Sequence, residues 1–123
     1  MTLLNSATSI SVGHHGDIVV LTVEGAIDLA TGPAVQKAID AVIAEGPQGL
    51  IVDLSQASLL SSIGLTILAS TRERLSGVAG FAVAADHPIV VRPIQLTCLD
   101  RYLSLCPTVE AAATHIRAGR PND

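Results

Sequence analysis

An α/β fold, with a mixed and mostly parallel sheet, an N-terminal hairpin and helices packed on the sheet, is what three features of the chain predict. Apolar residues make up 49% of the 123 residues but aromatics only 2%. The core must therefore be built from Val, Ile, Leu and Ala, a composition suited to a parallel sheet covered by helices. Leu50 to Val52 and Phe81 to Ala85 are short unbroken apolar runs, which is how strands covered on both faces read. Ser9 to Val12 and Ile18 to Val23 are β-rich and flank the turn-like His14-His15-Gly16-Asp17, which reads as a hairpin.

Taken in order, residues 1–8 carry no periodic signal and are expected to be flexible, residues 9–118 to form one domain, and residues 119–123 to be a loose tail. His14 and His15 invite a metal hypothesis, but neighbours in a turn point apart and no third ligand is near in sequence, so an exposed turn is expected. Leu29 to Gly46 reads as a helix with defined ends: Thr31 or Gly32 caps it, Pro33 fits its first turn, and Gly46 with Pro47 stops it. Val35, Ala38, Ile39, Val42 and Ile43 give it one apolar face.

After Leu50 to Val52, the polar residues Asp53, Ser55 and Ser58 end the strand, and a turn at Leu59 to Ser62 leads into a helix running to about Leu75. Ser61 or Ser62 is a preferred N-cap type. At about 100° per residue, Leu65, Leu68, Ala69 and Leu75 fall on the side expected to meet the sheet. Ile63 and Ile67 fall on the opposite side with Ser70 and Arg74, and contact with a partner is favoured there over cover by a neighbouring helix. Asp86-His87-Pro88 reads as a turn, a short helix is expected to begin near Pro93, and Tyr102 to Leu105 reads as a final edge strand ended by Pro107. Thr108 is expected to cap a last helix reaching about Ala118.

A net charge of −4 with only seven unclustered basic residues argues against nucleic acid as a direct ligand and leaves a protein as the expected partner. No apolar stretch approaches the roughly 20 residues of a membrane span, and no basic leader precedes one, so a cytoplasmic protein away from the membrane is expected. Cys98 and Cys106 are expected to be free thiols, since a strand between them would separate its ends by about 13 Å, beyond the ~7 Å limit for bridged Cα atoms. Ser62 with His87 or His115 supplies the residue types of a hydrolase without its G-x-S-x-G elbow, and phosphate-binding glycine loops are absent. No enzyme, cofactor or metal is implied.

The segment Val52-Asp53-Leu54-Ser55 followed by Leu59-Leu60-Ser61-Ser62-Ile63-Gly64-Leu65 resembles the signature of the STAS domain family, the anti-sigma factor antagonists, which reads (V/I)-D-L-S…(F/M)-(I/L/M)-D-S-(S/T)-G-L. Gly25-x-x-Asp28-Leu29-x-Thr31 is similar to the family's G-x-(I/L/V)-D-x-x-(T/S), and Thr97-Cys98-Leu99-Asp100 to its T-G-L-D. The resemblance runs from about Ser9 to Ala118. Ser61 stands where the family has Asp, Ile63 where it has Ser or Thr, and Cys98 where it has Gly. It implies a STAS fold and an anti-sigma factor antagonist that binds an anti-sigma factor/serine kinase, is turned off by phosphorylation and is restored by a phosphatase. By similarity Ser62 takes the phosphate, with Ser61 as an alternative acceptor, and Asp28, Ser61, Ser62, Ile63 and Ile67 line the docking surface. For Asp28, capping its own loop is an equal alternative. The rival implication is a non-phosphorylated STAS scaffold or regulatory subunit in a stress-signalling or lipid-transport assembly, and a dimer is left open.

Overall fold

Residues 8–119 are described by the structure, a computed structural model. The expected loose ends fall largely outside that range, but Thr8 already belongs to a strand and Gly119 is the C-cap of the last helix. Strand β1 (Thr8–His15) pairs antiparallel with β2 (Ile18–Ile27), so the hairpin turn is Gly16-Asp17, and His14 and His15 end a strand rather than occupy the turn. Helix α1 (Gly32–Ala44) follows, with Thr31 at its N-cap and Pro33 in its first turn, and Gly46 leaves it at φ +67. Strand β3 (Gly49–Asp53) lies parallel to β2.

Leu59 and Leu60, read from the sequence as the start of a turn, end a further strand, β4 (Ala57–Leu60), parallel to the last residues of β2. A register shift at Gly25 and Ala26 lets β2 pair first with β3 and then with β4. Helix α2 (Ser62–Leu75), strand β5 (Gly80–Ala84), helix α3 (Pro88–Leu96), the two-residue strand β6 (Leu105–Cys106) and helix α4 (Val109–Ala118) complete the chain. The sheet order is β1-β2-β3-β5-β6 with β4 beside β2, so only the hairpin departs from parallel.

Because side chains alternate along a strand, the sheet has two buried faces. Val19, Leu21, Val23, Leu50, Val52, Phe81 and Val83 enter the larger cluster with α1, α2 and α3 residues such as Ile39, Leu68 and Ile94. Ile18, Ile51, Ala82 and Ala84 meet α4 through Ala112, Ala113 and Ile116. Close approach of α4 needs the absent side chain of Gly80, where an added Cβ would collide with Ile116.

Two expectations about the second half of the chain are corrected. Helix α3 begins at Pro88 and not near Pro93, because proline suits a first turn and the His87 ring nitrogen accepts the Ile89 amide at 3.2 Å. Pro93 therefore lies inside α3, where it contributes no N–H. The last strand is Leu105–Cys106 alone; Tyr102 lies in a turn with Arg72 stacked 5.2 Å from its ring centre, and Ser104 is left-handed at φ 53.

Cys98, standing where the T-G-L-D pattern has glycine, is left-handed with φ 59. The amide of Leu99 donates to Ile94 O and that of Cys98 to Gln95 O, both at 3.0 Å, which is the double closure of a Schellman helix end. Glycine adopts this conformation without the strain an L side chain feels. Cys98→Gly is expected to stabilise the fold by about 1 kcal/mol, less the entropy glycine adds to the unfolded chain. A thermal melt checks this, and a lowered midpoint contradicts it.

Cys98 and Cys106 are both free thiols, as expected, but they are not equivalent. Burial raises the pKa of the Cys106 thiol, whereas Cys98 is exposed. Only the thiolate is nucleophilic, so iodoacetamide at mildly alkaline pH is expected to label Cys98 first, as peptide mapping over time would show.

Candidate functional site: the start of the second helix

Local geometry at the junction of β4 and α2 follows from where Ser61 spends its hydrogen bonds. Ser61 is the N-cap residue of α2, but its hydroxyl does not cap the helix. Instead it donates to Ile27 O at 2.9 Å, and the Ser61 amide donates to the same carbonyl at 3.0 Å. Both bonds pin the helix start to the end of β2. Consequently no side chain caps the first turn of α2, and no acidic residue lies in it. No side chain of that turn offsets the positive end of the helix.

Ser62 is the first residue of α2 and is exposed. Its carbonyl accepts the Thr66 hydroxyl at 3.1 Å, one turn on. Between the two serines only Ser62 presents a hydroxyl without a protein partner, since that of Ser61 is half-buried and bonded inward.

The close seating of this helix start depends on Gly64. A Cβ built there would lie 2.5 Å from Leu60 Cδ1 and 3.0 Å from Ile27 Cγ2, both in buried residues. Glycine thus lets the first turn of α2 rest directly on β2 and β4.

Beside Ser62 is a shallow open depression lined by Leu29, Ser61, Ser62, Ile63 and Thr66. Its far wall is the loop between β2 and α1, and Asp28 builds that loop. The Asp28 carboxylate accepts the amides of Ala30 at 3.0 Å and Thr31 at 3.1 Å, while the Thr31 hydroxyl accepts the Asp28 amide at 3.0 Å and donates to Ala26 O at 2.8 Å. Of the two readings of Asp28, the loop cap is what these bonds describe. The loop holds up Leu29, whose side chain is 79% exposed, the most exposed large apolar residue described. Sequence reasoning passed over Leu29, because a single leucine at a helix approach looks like any core residue.

The expected water-facing side of α2 is corrected. Ile67 is buried, with its Cδ1 3.4 Å from where a Gly32 side chain would begin, and Ile63 is half-buried in the same contact. Helix α1 covers that side, and Arg74 Nη1 bonds Asp40 Oδ1 of α1 at 2.6 Å. That bond, with one from Gln36, holds the Asp40 carboxyl below its usual range. Ile67 is therefore a core residue between two helices, and only the edge of Ile63 reaches the depression.

Neither histidine of the hydrolase reading lines this depression. His87 caps α3, and His115 lines a larger cleft with Arg72, Ser76, Val78 and Ile116 that carries none of the motif residues. No group of three or more metal-ligating side chains occurs among the described residues.

Comparison with known proteins places most of the chain in one family. Residues 9–112 match the family model described as STAS domain. The chain is 39% identical over 112 residues to proteins named anti-sigma-F factor antagonist RsfB from two strains of Mycobacterium tuberculosis, an alignment covering 91% of this chain and 92% of theirs. A solved anti-sigma factor antagonist from Mycobacterium paratuberculosis superposes with a TM-score of 0.87 at 43% identity, over 90% of this chain and 95% of that one. The unphosphorylated anti-sigma factor antagonist SpoIIAA shares the fold, with a TM-score of 0.73 at 18% identity over 92% of this chain and all of its own.

Proposed function

Since the chain belongs to the STAS domain family, we propose that it is an anti-sigma factor antagonist whose docking surface is the depression beside Ser62, and that phosphorylation of Ser62 turns it off. The observation that carries this reading is the exposure of Ser62 as the first residue of an uncapped helix, bordering a surface with a raised leucine. A phosphate there brings a charge of about −1.5 to −2, which a helix N-terminus of roughly +0.5 tolerates. A protein seated in the depression would have to bury that dianion. The modification therefore repels the partner while the fold is kept.

The partner is an anti-sigma factor that is also a serine kinase, met in the cytoplasm, with a phosphatase to reset the switch. No helix among the described residues is long and apolar enough to cross a membrane. Ser62 and the exposed edge of Ile63 contact the partner directly. Asp28 acts through the loop it folds, and Ser61 by holding the helix start. Ser62 is the acceptor in preference to Ser61, whose hydroxyl is committed to Ile27 O. The anchor is Leu29: Leu29→Ser is expected to weaken the complex about tenfold without lowering the melting point, as an exposed apolar contact that truncation costs on the order of 1 kcal/mol or more would.

Incubation with the cognate kinase and ATP, followed by mass spectrometry and a binding assay, tests the switch. One phosphate on Ser62 together with loss of the complex supports it. A stable complex that never takes up phosphate sinks it in favour of a scaffold.

A further inference from the structure

The two edges of the sheet are built in contrasting ways. One edge, β6, is only two residues long, preceded by left-handed Ser104 and followed by Pro107, so it offers little to an incoming strand. The other edge, β1, runs for eight residues, and among the described residues no strand pairs with its outer side. Its sequence, TSISVGHH, holds no Asp, Glu, Lys, Arg or Pro, and its register with β2 runs without a bulge from Thr8 to His15. These are the devices by which sheet edges are normally protected, and β1 lacks them.

We propose that the outer edge of β1 pairs antiparallel with β1 of a second copy, joining two sheets across a two-fold axis. The argument for a second copy is self-complementarity. A two-fold axis through the edge keeps each face of the sheet continuous, so residues of the same parity oppose one another. Centring the axis on Ser11 sets Val12 against Ile10 of the second copy, and centring it on Val12 sets the two Val12 side chains together. Both registers gather Ile10 and Val12 of both chains on one face, where aliphatic cross-strand pairs stabilise a sheet. Val12, opposite buried Leu21, is 53% exposed in the single chain, and Ile10 is already half-covered by the core. No Asp, Glu, Lys or Arg of the strand itself opposes its own copy, and the Arg117 guanidinium, which bonds His15 O at 2.8 Å, lies at the hairpin end, beyond the stretch from Ile10 to Val12.

This interface is separate from the switch. Strand β4, which leads to Ser62, lies on the side of β2 away from β1. A dimer through β1 leaves both depressions open and carries two switch sites.

Sedimentation of the full chain from low micromolar to near-millimolar concentration is the test, with Val12→Lys, Val12→Glu and their mixture as the variants. Expected is a reversible dimer that Val12→Lys and Val12→Glu each weaken about tenfold or more, because in either register two like charges enter the shared apolar face, directly opposite each other about Val12 or on the diagonal about Ser11. Mixing the two variants restores association. Each variant keeps the wild-type circular dichroism and binds the anti-sigma partner with unchanged affinity, so failure here is distinct from failure of the switch. A wild-type chain that stays monomeric throughout overturns the proposal. So does a dimer that Val12→Lys leaves intact, which would place the contact elsewhere.

Discussion

Ser62→Asp is expected to lower affinity for the anti-sigma partner by about thirtyfold or more, since leaving a charge buried and unpaired in an interface costs on the order of 2–5 kcal/mol. The same change is expected to leave the melting point nearly where it was. Ser62 is exposed at the first position of α2 and its side chain makes no bond the fold needs. A carboxylate near an uncapped helix N-terminus gains about 0.3–1 kcal/mol, which offsets the small propensity loss. Ser62→Ala makes the contrast: it should bind normally and fail to be switched off by kinase and ATP. Calorimetric titration of both variants decides the matter. Tight binding by Ser62→Asp, or an unfolded variant, removes the claim that charge alone separates the partners.

How far the sequence reveals this site depends on which interactions are local. Helix α1 was legible because Thr31, Pro33 and Gly46 are punctuation that acts within one turn. The left-handed bend at Cys98 was not legible, because cysteine takes the place of the glycine that marks such a bend. Strand β4 was not, because Ala57 to Leu60 has no β-branched residue and exists through its pairing with the far end of β2. Nor was the burial of Ile67. Helical periodicity separates one side of α2 from the other, but whether a second helix lies there depends on Gly32, 35 positions away in the chain, coming close enough to cover it. His87 as a cap escaped notice because histidine is not among the residue types usually found there.

The same contrast between local and distant causes bears on Gly64. The family motif contains a glycine at this point, and helical position alone would favour replacing it, since alanine in a helix is better than glycine by up to about 1 kcal/mol. The surroundings decide otherwise. A Cβ at Gly64 meets Leu60 Cδ1 at 2.5 Å and Ile27 Cγ2 at 3.0 Å, and both side chains are buried and already in contact with the sheet. For Gly64→Ala the Leu60 methyl can yield in part, so a crowding cost of about 1–3 kcal/mol stands against the propensity gain and a modest net loss is expected. For Gly64→Val the added methyls have nowhere to go and a β-branched side chain is stiff in a helix, so about 2–4 kcal/mol of destabilisation is expected. Relief can come only by lifting the first turn of α2 off β2 and β4, which would stretch the two bonds from Ser61 to Ile27 O and shift Ser62. Denaturant unfolding should therefore rank the variants wild type, Ala, Val in falling stability. Partner affinity, measured where each is still folded, should fall in the same order. Equal stability for Val and wild type would mean that α2 does not sit on Leu60 and Ile27 as closely as described.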